Sequence, residues 1–80
     1  MGGHYFGKFL IEVTLSNGES AFLMDVEDGY VQVTRNRDAA ARFLTEAGAK
    51  KYYYSVYHMY LYSDPSVYIT NGFVKKTTHF

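Results

Sequence analysis

His4, His58 and His79 are the only histidines in the chain, and they are the side chains best suited to proton transfer or metal ligation near neutral pH. His4 and His79 sit near the two ends and could meet in space. Nothing in the sequence fixes their geometry as a metal pair, so solvated ends are the expectation. His58 lies in a tyrosine-rich run and reads as a packed or surface residue rather than a general base. Asp25, Glu27 and Asp28 cluster beside a turn, but without the spacing of a calcium loop. The seven glycines form no phosphate-cradling pattern, and there is no cysteine to serve as thiolate nucleophile, zinc ligand or disulfide. No catalytic, metal or cofactor residue is therefore assigned, and the expectation is a protein that is not an enzyme and carries no cofactor.

The tyrosines are the stronger signal. Seven of the nine fall between Tyr52 and Tyr68. Tyrosine buries a rigid ring while keeping one polar contact, which suits interfaces. Nine hydroxyls are more than a core of 80 residues can pair, so some rings belong at the surface. Tyr57, Tyr60, Tyr62 and Tyr68 are the expected contact rings. Lys50, Lys51, Arg42 and Asp64 are the charges expected to orient a partner. That partner is a second copy of the chain, as a homodimer, or another protein. The alternative is weak binding of single-stranded nucleic acid, with bases stacked on tyrosine and Lys50, Lys51, Lys75 and Lys76 near the phosphates.

These side chains need a scaffold. Tyr5, Phe9, Ile11, Val13 and Leu15 alternate with polar residues, the period of a half-buried strand, with Leu10 as an exception. Asn17-Gly18 and Asp28-Gly29 suit type I′ hairpin turns. Counting outward from the first sets Val13 opposite Phe22, Ile11 opposite Met24 and Phe9 opposite Val26. The second sets Val26 opposite Val31 and Met24 opposite Val33. Leu23 then falls on the wetter face with Glu12 and Asp25. Asn36 can cap a helix over residues 37–53, in which Ala39, Ala40, Phe43, Leu44 and Ala47 form the apolar side, Thr45 or Gly48 marks a break, and Thr45 can restart the helix as a second cap. Residues 54–62 satisfy two periods. As a helix, Tyr53, Tyr57, Tyr60 and Leu61 share a side, but residue preference favours a strand over 56–62. A turn at 63–66, a strand over 67–70, a turn at Asn71-Gly72 and a last strand to about residue 78 complete a C-terminal hairpin. There Ile69 faces Val74, and Lys75 and Lys76 suit an exposed edge.

The expected fold class is thus a single α+β domain over 1–80. A three-stranded antiparallel meander, a central helix and a C-terminal β-hairpin would form one layer of sheet packed on helix. Eight basic and eight acidic residues argue against a strongly basic nucleic-acid binder and against an acidic DNA mimic. The balance is uneven along the chain. Residues 1–40 carry a net −3 and residues 41–80 a net +3, which could orient two copies or a partner. No run of 18 apolar residues and no basic leader ahead of an apolar stretch are present, so neither membrane nor secretion is expected and a cytoplasmic setting fits.

Asp38-Ala39-Ala40-Ala41-Arg42-Phe43, followed by Thr45, Glu46, Ala47 and then Lys50-Lys51-Tyr52, resembles a pattern in small phage and prophage proteins of unassigned function. It covers about 18 residues within 36–53. The resemblance is to host-takeover or anti-defence proteins, some of them similar to anti-CRISPR inhibitors. It implies an inhibitor or modulator that occludes the surface of a host defence protein and needs no active site. Many such proteins are strongly acidic, whereas this chain is neutral. The matching residues are core and cap positions, so no functional residue is carried over.

Overall fold

The computed structural model describes residues 7–77. His4 and His79, the candidate metal pair, lie outside the described residues, as does Tyr5. Strands β1 (Phe9–Leu15), β2 (Ser20–Glu27) and β3 (Tyr30–Thr34) form the meander. A single 3-10 turn follows at Arg37–Ala39, then helix α1 (Glu46–Val56) and strand β4 (Ile69–Lys76). The sheet is antiparallel with order β3-β2-β1-β4, and α1 packs on one face of it. This is the expected α+β class. Ile11, Val13, Leu23, Val31, Ala49, Val56 and Ile69 are almost completely excluded from solvent between helix and sheet.

The register of the meander differs from the count. The Leu15 N–H donates to the Glu19 carbonyl at 2.8 Å and the Gly18 N–H to the Leu15 carbonyl at 2.9 Å. Gly18 has a φ of 91° while Asn17 stays out of the left-handed region. The loop is therefore the three-residue type with a bulged glycine, one residue longer than a type I′ turn. Val13 consequently faces Ala21, and Phe22 faces Glu12 on the other side of the sheet. Ala21 and Leu23 are buried in the positions expected for Phe22 and Met24. Asp28-Gly29 does form a turn with positive φ at both residues, and Val26 does pair with Val31. The pairing then shifts between Leu23 and Asp25, so Leu23, not Met24, meets Val33. Met24 is the extra residue of a β-bulge. Such bulges bend a strand.

The bend in β2 also accounts for the missing half of the expected helix. Beyond Leu23 the partner of β1 is no longer β2. Ala41 donates its N–H to Leu23 at 2.9 Å, and Phe43 exchanges both backbone hydrogen bonds with Phe9, at 2.7 and 3.1 Å. Residues 40–44 are extended instead of helical. Ala40, Ala41 and Phe43 are buried, while Leu44 and Ala47, expected on the same apolar side, are exposed. Both expected caps are used: the Asn36 side chain accepts from the Asp38 N–H and that of Thr45 from the Gly48 N–H, each at 3.0 Å. Among the described residues no helix is long and apolar enough to cross a membrane.

Of the expected strand over 56–62 only residues 59–61 are extended, pairing antiparallel with 67–69 around the expected turn, and the hairpin about Asn71-Gly72 does not form. Helix α1 runs through Val56, because Ala49, Tyr53 and Val56, at helical spacing, bury one stripe against the sheet. Asn71 and Gly72 lie inside β4, opposite Thr14 and Val13, so Ile69 and Val74 are partners along one strand's length and not across a turn. Gly72 is there because of a neighbour: a Cβ at that position would lie 2.5 Å from Cε1 of Tyr53. The glycine lets the tyrosine ring lie directly on the strand. Lys75 and Lys76 do sit on an edge strand.

Candidate functional site

Helix α1 presents Tyr53 and Tyr54 as neighbours and then stops. Tyr57 is its C-cap, and His58 takes a φ of 67°, a left-handed conformation in which a non-glycine residue is uncommon. The Met59 N–H closes the end by donating to the Val56 carbonyl at 3.0 Å. The chain reverses, and Tyr60 bridges to Tyr68 just ahead of β4. This reversal sets the rings of the helix end beside those of the return segment.

The rings form an unbroken series. Tyr54 and Tyr53 have centroids 5.3 Å apart, Tyr53 and Tyr57 5.6 Å, and Tyr57 and His58 3.6 Å. His58 and Tyr68 are 6.4 Å apart, and Tyr68 and Tyr60 5.3 Å. Interplanar angles run from 47° to 62°: Tyr53 and Tyr57 meet edge to face, and the other pairs are tilted against one another. Tyr53 is the buried anchor. Burial pushes its hydroxyl pKa above the ordinary tyrosine value, and charge on Tyr57 or Tyr54 would push it further. Tyr54 is 72% exposed, Tyr57 44% and Tyr60 47%, so the series runs from the core onto the surface.

Of the expected contact rings, the fold thus gathers Tyr57, Tyr60 and Tyr68. Tyr62 stands apart: it is exposed, its N–H donates to Val31, and no ring contact joins it to the series. Of the expected charges, only Lys50 lies beside the rings. Lys50 forms an ion pair with Glu46 at 3.1 Å one helical turn away, and walls a groove with Tyr53 and Tyr54. Lys51 lies beside a separate apolar depression of about 330 Å³ with Phe43 and Tyr52. Arg42 is half-buried in the extended segment 40–44. Asp64 belongs to an exposed turn, where first the hydroxyl and then the N–H of Ser66 donate to its carboxylate and lower its pKa. His58, Tyr53 and Tyr54 are members that sequence reasoning left out. The helical spacing of Tyr53 and Tyr57 was the available signal for Tyr53. Among the described residues no group of three or more acidic or histidine side chains converges as metal ligands. Comparison with family models, with curated proteins and with solved structures finds no match to this chain.

Proposed function

We propose that the chain is a non-enzymatic protein-binding module whose docking face is the ring series from Tyr54 to Tyr60. The carrying observation is that continuity: six aromatic side chains in mutual contact, anchored in the core at Tyr53 and exposed at Tyr54, Tyr57 and Tyr60. Rings that brace one another lose little side-chain freedom when a partner covers them, which favours tight contact per unit area. Nucleic-acid stacking is the weaker reading. Successive bases need separate open ring faces, whereas these lean on each other, and Lys50 and Lys75 already hold carboxylates. A role as a phage inhibitor of a host defence protein agrees with a surface-occluding module and rests only on the resemblance over 36–53.

Affinity capture with the wild-type chain and with a Tyr57→Ser/Tyr60→Ser variant tests the reading. A protein retained by the wild type and by Tyr62→Ser, but lost from the double variant, is the expected result. Retention of nucleic acid that elutes at moderate salt would replace it with the stacking alternative.

A further inference from the structure

The hydrogen-bond phase of β4 decides which of its backbone groups are used. The Thr77 N–H donates to Lys8 at 2.7 Å, and the register pairs Phe9 with Lys76 through Val13 with Gly72. In an antiparallel pair, bonded and non-bonded positions alternate. Phe73 and Lys75 therefore point their N–H and C=O groups at β1, while Gly72, Val74 and Lys76 point theirs away from the sheet. Among the described residues no hydrogen bond reaches those outward groups. The opposite edge is interrupted at Val31, which donates to Tyr60 at 2.9 Å and accepts from Tyr62 at 2.8 Å. One edge open over Gly72, Val74 and Lys76 and one edge interrupted at Val31 favour a pair that closes on itself, because a head-to-tail run of strands would need the β3 edge free.

We infer that β4 is a self-association strand, pairing antiparallel with β4 of a second copy about a two-fold axis at Val74. The chain's own groups fit that register. Val74 then meets Val74, and Phe73 lies opposite Lys75 of the second copy. That repeats across the axis the contact already made within one chain, where the Lys75 amine sits 5.3 Å from the Phe73 ring centre. Gly72 lies opposite Lys76 of the second copy. Beside Gly72 is a groove of about 220 Å³ walled by Lys50, Tyr53, Tyr54 and Val74, open for the stem of that lysine. Lysine repulsion across the axis is muted, since Glu12 holds Lys75 at 2.7 Å and Glu46 holds Lys50. An acidic foreign strand would find those two cations already neutralised. A register one residue further along would set Lys75 against Lys75. A standard interface takes about 800 Å² from each partner, a sixth of the 4823 Å² surface. With the axis at Val74, Gly72 through Lys76 of β4 pair with their counterparts, about 16 Å of edge, and the flank of α1 above them supplies the rest of the face.

This surface meets the ring series only at Tyr53 and Tyr54, which wall the groove, and it uses neither Tyr57 nor Tyr60. Sedimentation velocity over a concentration series, with amide exchange followed residue by residue, tests it. The wild type is expected at twice 9.2 kDa. The Gly72, Val74 and Lys76 amides should gain protection as concentration rises, while Phe73 and Lys75 stay protected throughout. Val74→Pro removes an outward donor, a substitution an edge strand tolerates, and Phe73→Lys sets lysine against Lys75. Each should weaken association at least tenfold while the far-ultraviolet circular dichroism is unchanged; if the proline variant fails to fold, Phe73→Lys decides. Tyr57→Ser/Tyr60→Ser should remain dimeric, which separates failure of this inference from failure of the docking reading. A wild type that stays monomeric overturns the inference, as does a dimer that persists in the folded variants. A monomer whose Gly72 and Val74 amides shift on titration with a glutamate-rich hexapeptide overturns it in favour of a foreign strand.

Discussion

At the β3 edge the backbone of Val31 is bonded to Tyr60 and Tyr62, and at the β4 edge the outward groups of Gly72 and Val74 meet no described partner. The same return segment that seals the first edge also delivers Tyr60 to the ring series. The second edge lies under α1, where Tyr53 rests on Gly72. Sealing and exposure are thus both consequences of where the chain turns after Val56. One edge is spent on the protein's own fold, and the other is left with hydrogen-bonding capacity and an aromatic-walled groove.

The largest effect is expected where the open edge meets the helix. Gly72→Val places a branched side chain where even a Cβ comes within 2.5 Å of a buried ring. Relief requires lifting Tyr53 and the helix with it, at a cost of about 3 kcal/mol. That is a large share of the roughly 4–12 kcal/mol expected for a chain of this length. The urea midpoint should fall accordingly, and Tyr53→Leu in the same chain should restore part of it. A midpoint unmoved by Gly72→Val would mean that Tyr53 does not rest on the strand.

The sealed edge is expected to respond next. Leu61 is buried between residues that seal Val31, and its own N–H donates to Val67 at 2.8 Å. Leu61→Ala leaves a cavity near the rim of the core, costing about 2 kcal/mol, the low end for such truncations because a loop can settle inward. Its signature is local. The Val31 amide should exchange faster relative to Val13, making the two edges more alike.

Three Asx-Gly pairs show how much of this was legible in the sequence. Asn17-Gly18, Asp28-Gly29 and Asn71-Gly72 carry the same local signal, yet one forms a three-residue loop, one a type I′ turn and one no turn at all. Local chemistry identified the meander and both caps. It could not place β2, because Phe22, Met24 and Val26 are as apolar as Ala21 and Leu23, so either parity reads as a core face. A bulge at Met24 carries no sequence mark. Asn71-Gly72 was decided by Tyr53, a neighbour 19 positions away in the chain. Within the ring series, Tyr57, Tyr60 and Tyr68 were readable as surface tyrosines. Tyr62 was not separable from them, and His58 was missed because no glycine or asparagine marks the left-handed helix end it occupies.

Alkaline pH sharpens the contrast at Tyr53, the residue the open edge leans on. Its pKa is raised in the folded chain by burial, so the neutral hydroxyl is favoured there. Above about pH 10 the unfolded chain gives up this proton first. Stability is therefore level below that pH and declines as pH rises towards the folded value. Urea midpoints at about pH 9 and about pH 11 should show the decline, and Tyr53→Phe should flatten it.

The smallest effect falls on the outer face of the open edge. Lys75 and Glu12 pair at 2.7 Å with side chains 52% and 21% exposed, so the bridge is worth a few tenths of a kcal/mol to about 1 kcal/mol in the single chain and is screened by salt. Glu12→Gln should hardly move the urea midpoint at moderate ionic strength. Its effect on association should be larger in proportion, because an uncompensated Lys75 would face its symmetry mate diagonally across the proposed two-fold axis. The change in dimer dissociation constant should then shrink as salt is added, while the change in monomer stability stays near zero. Equal and salt-insensitive losses in both would place the role of Glu12 in packing against Phe22 and Phe73, its neighbours across the strands, and would detach the charge pattern of β4 from self-association.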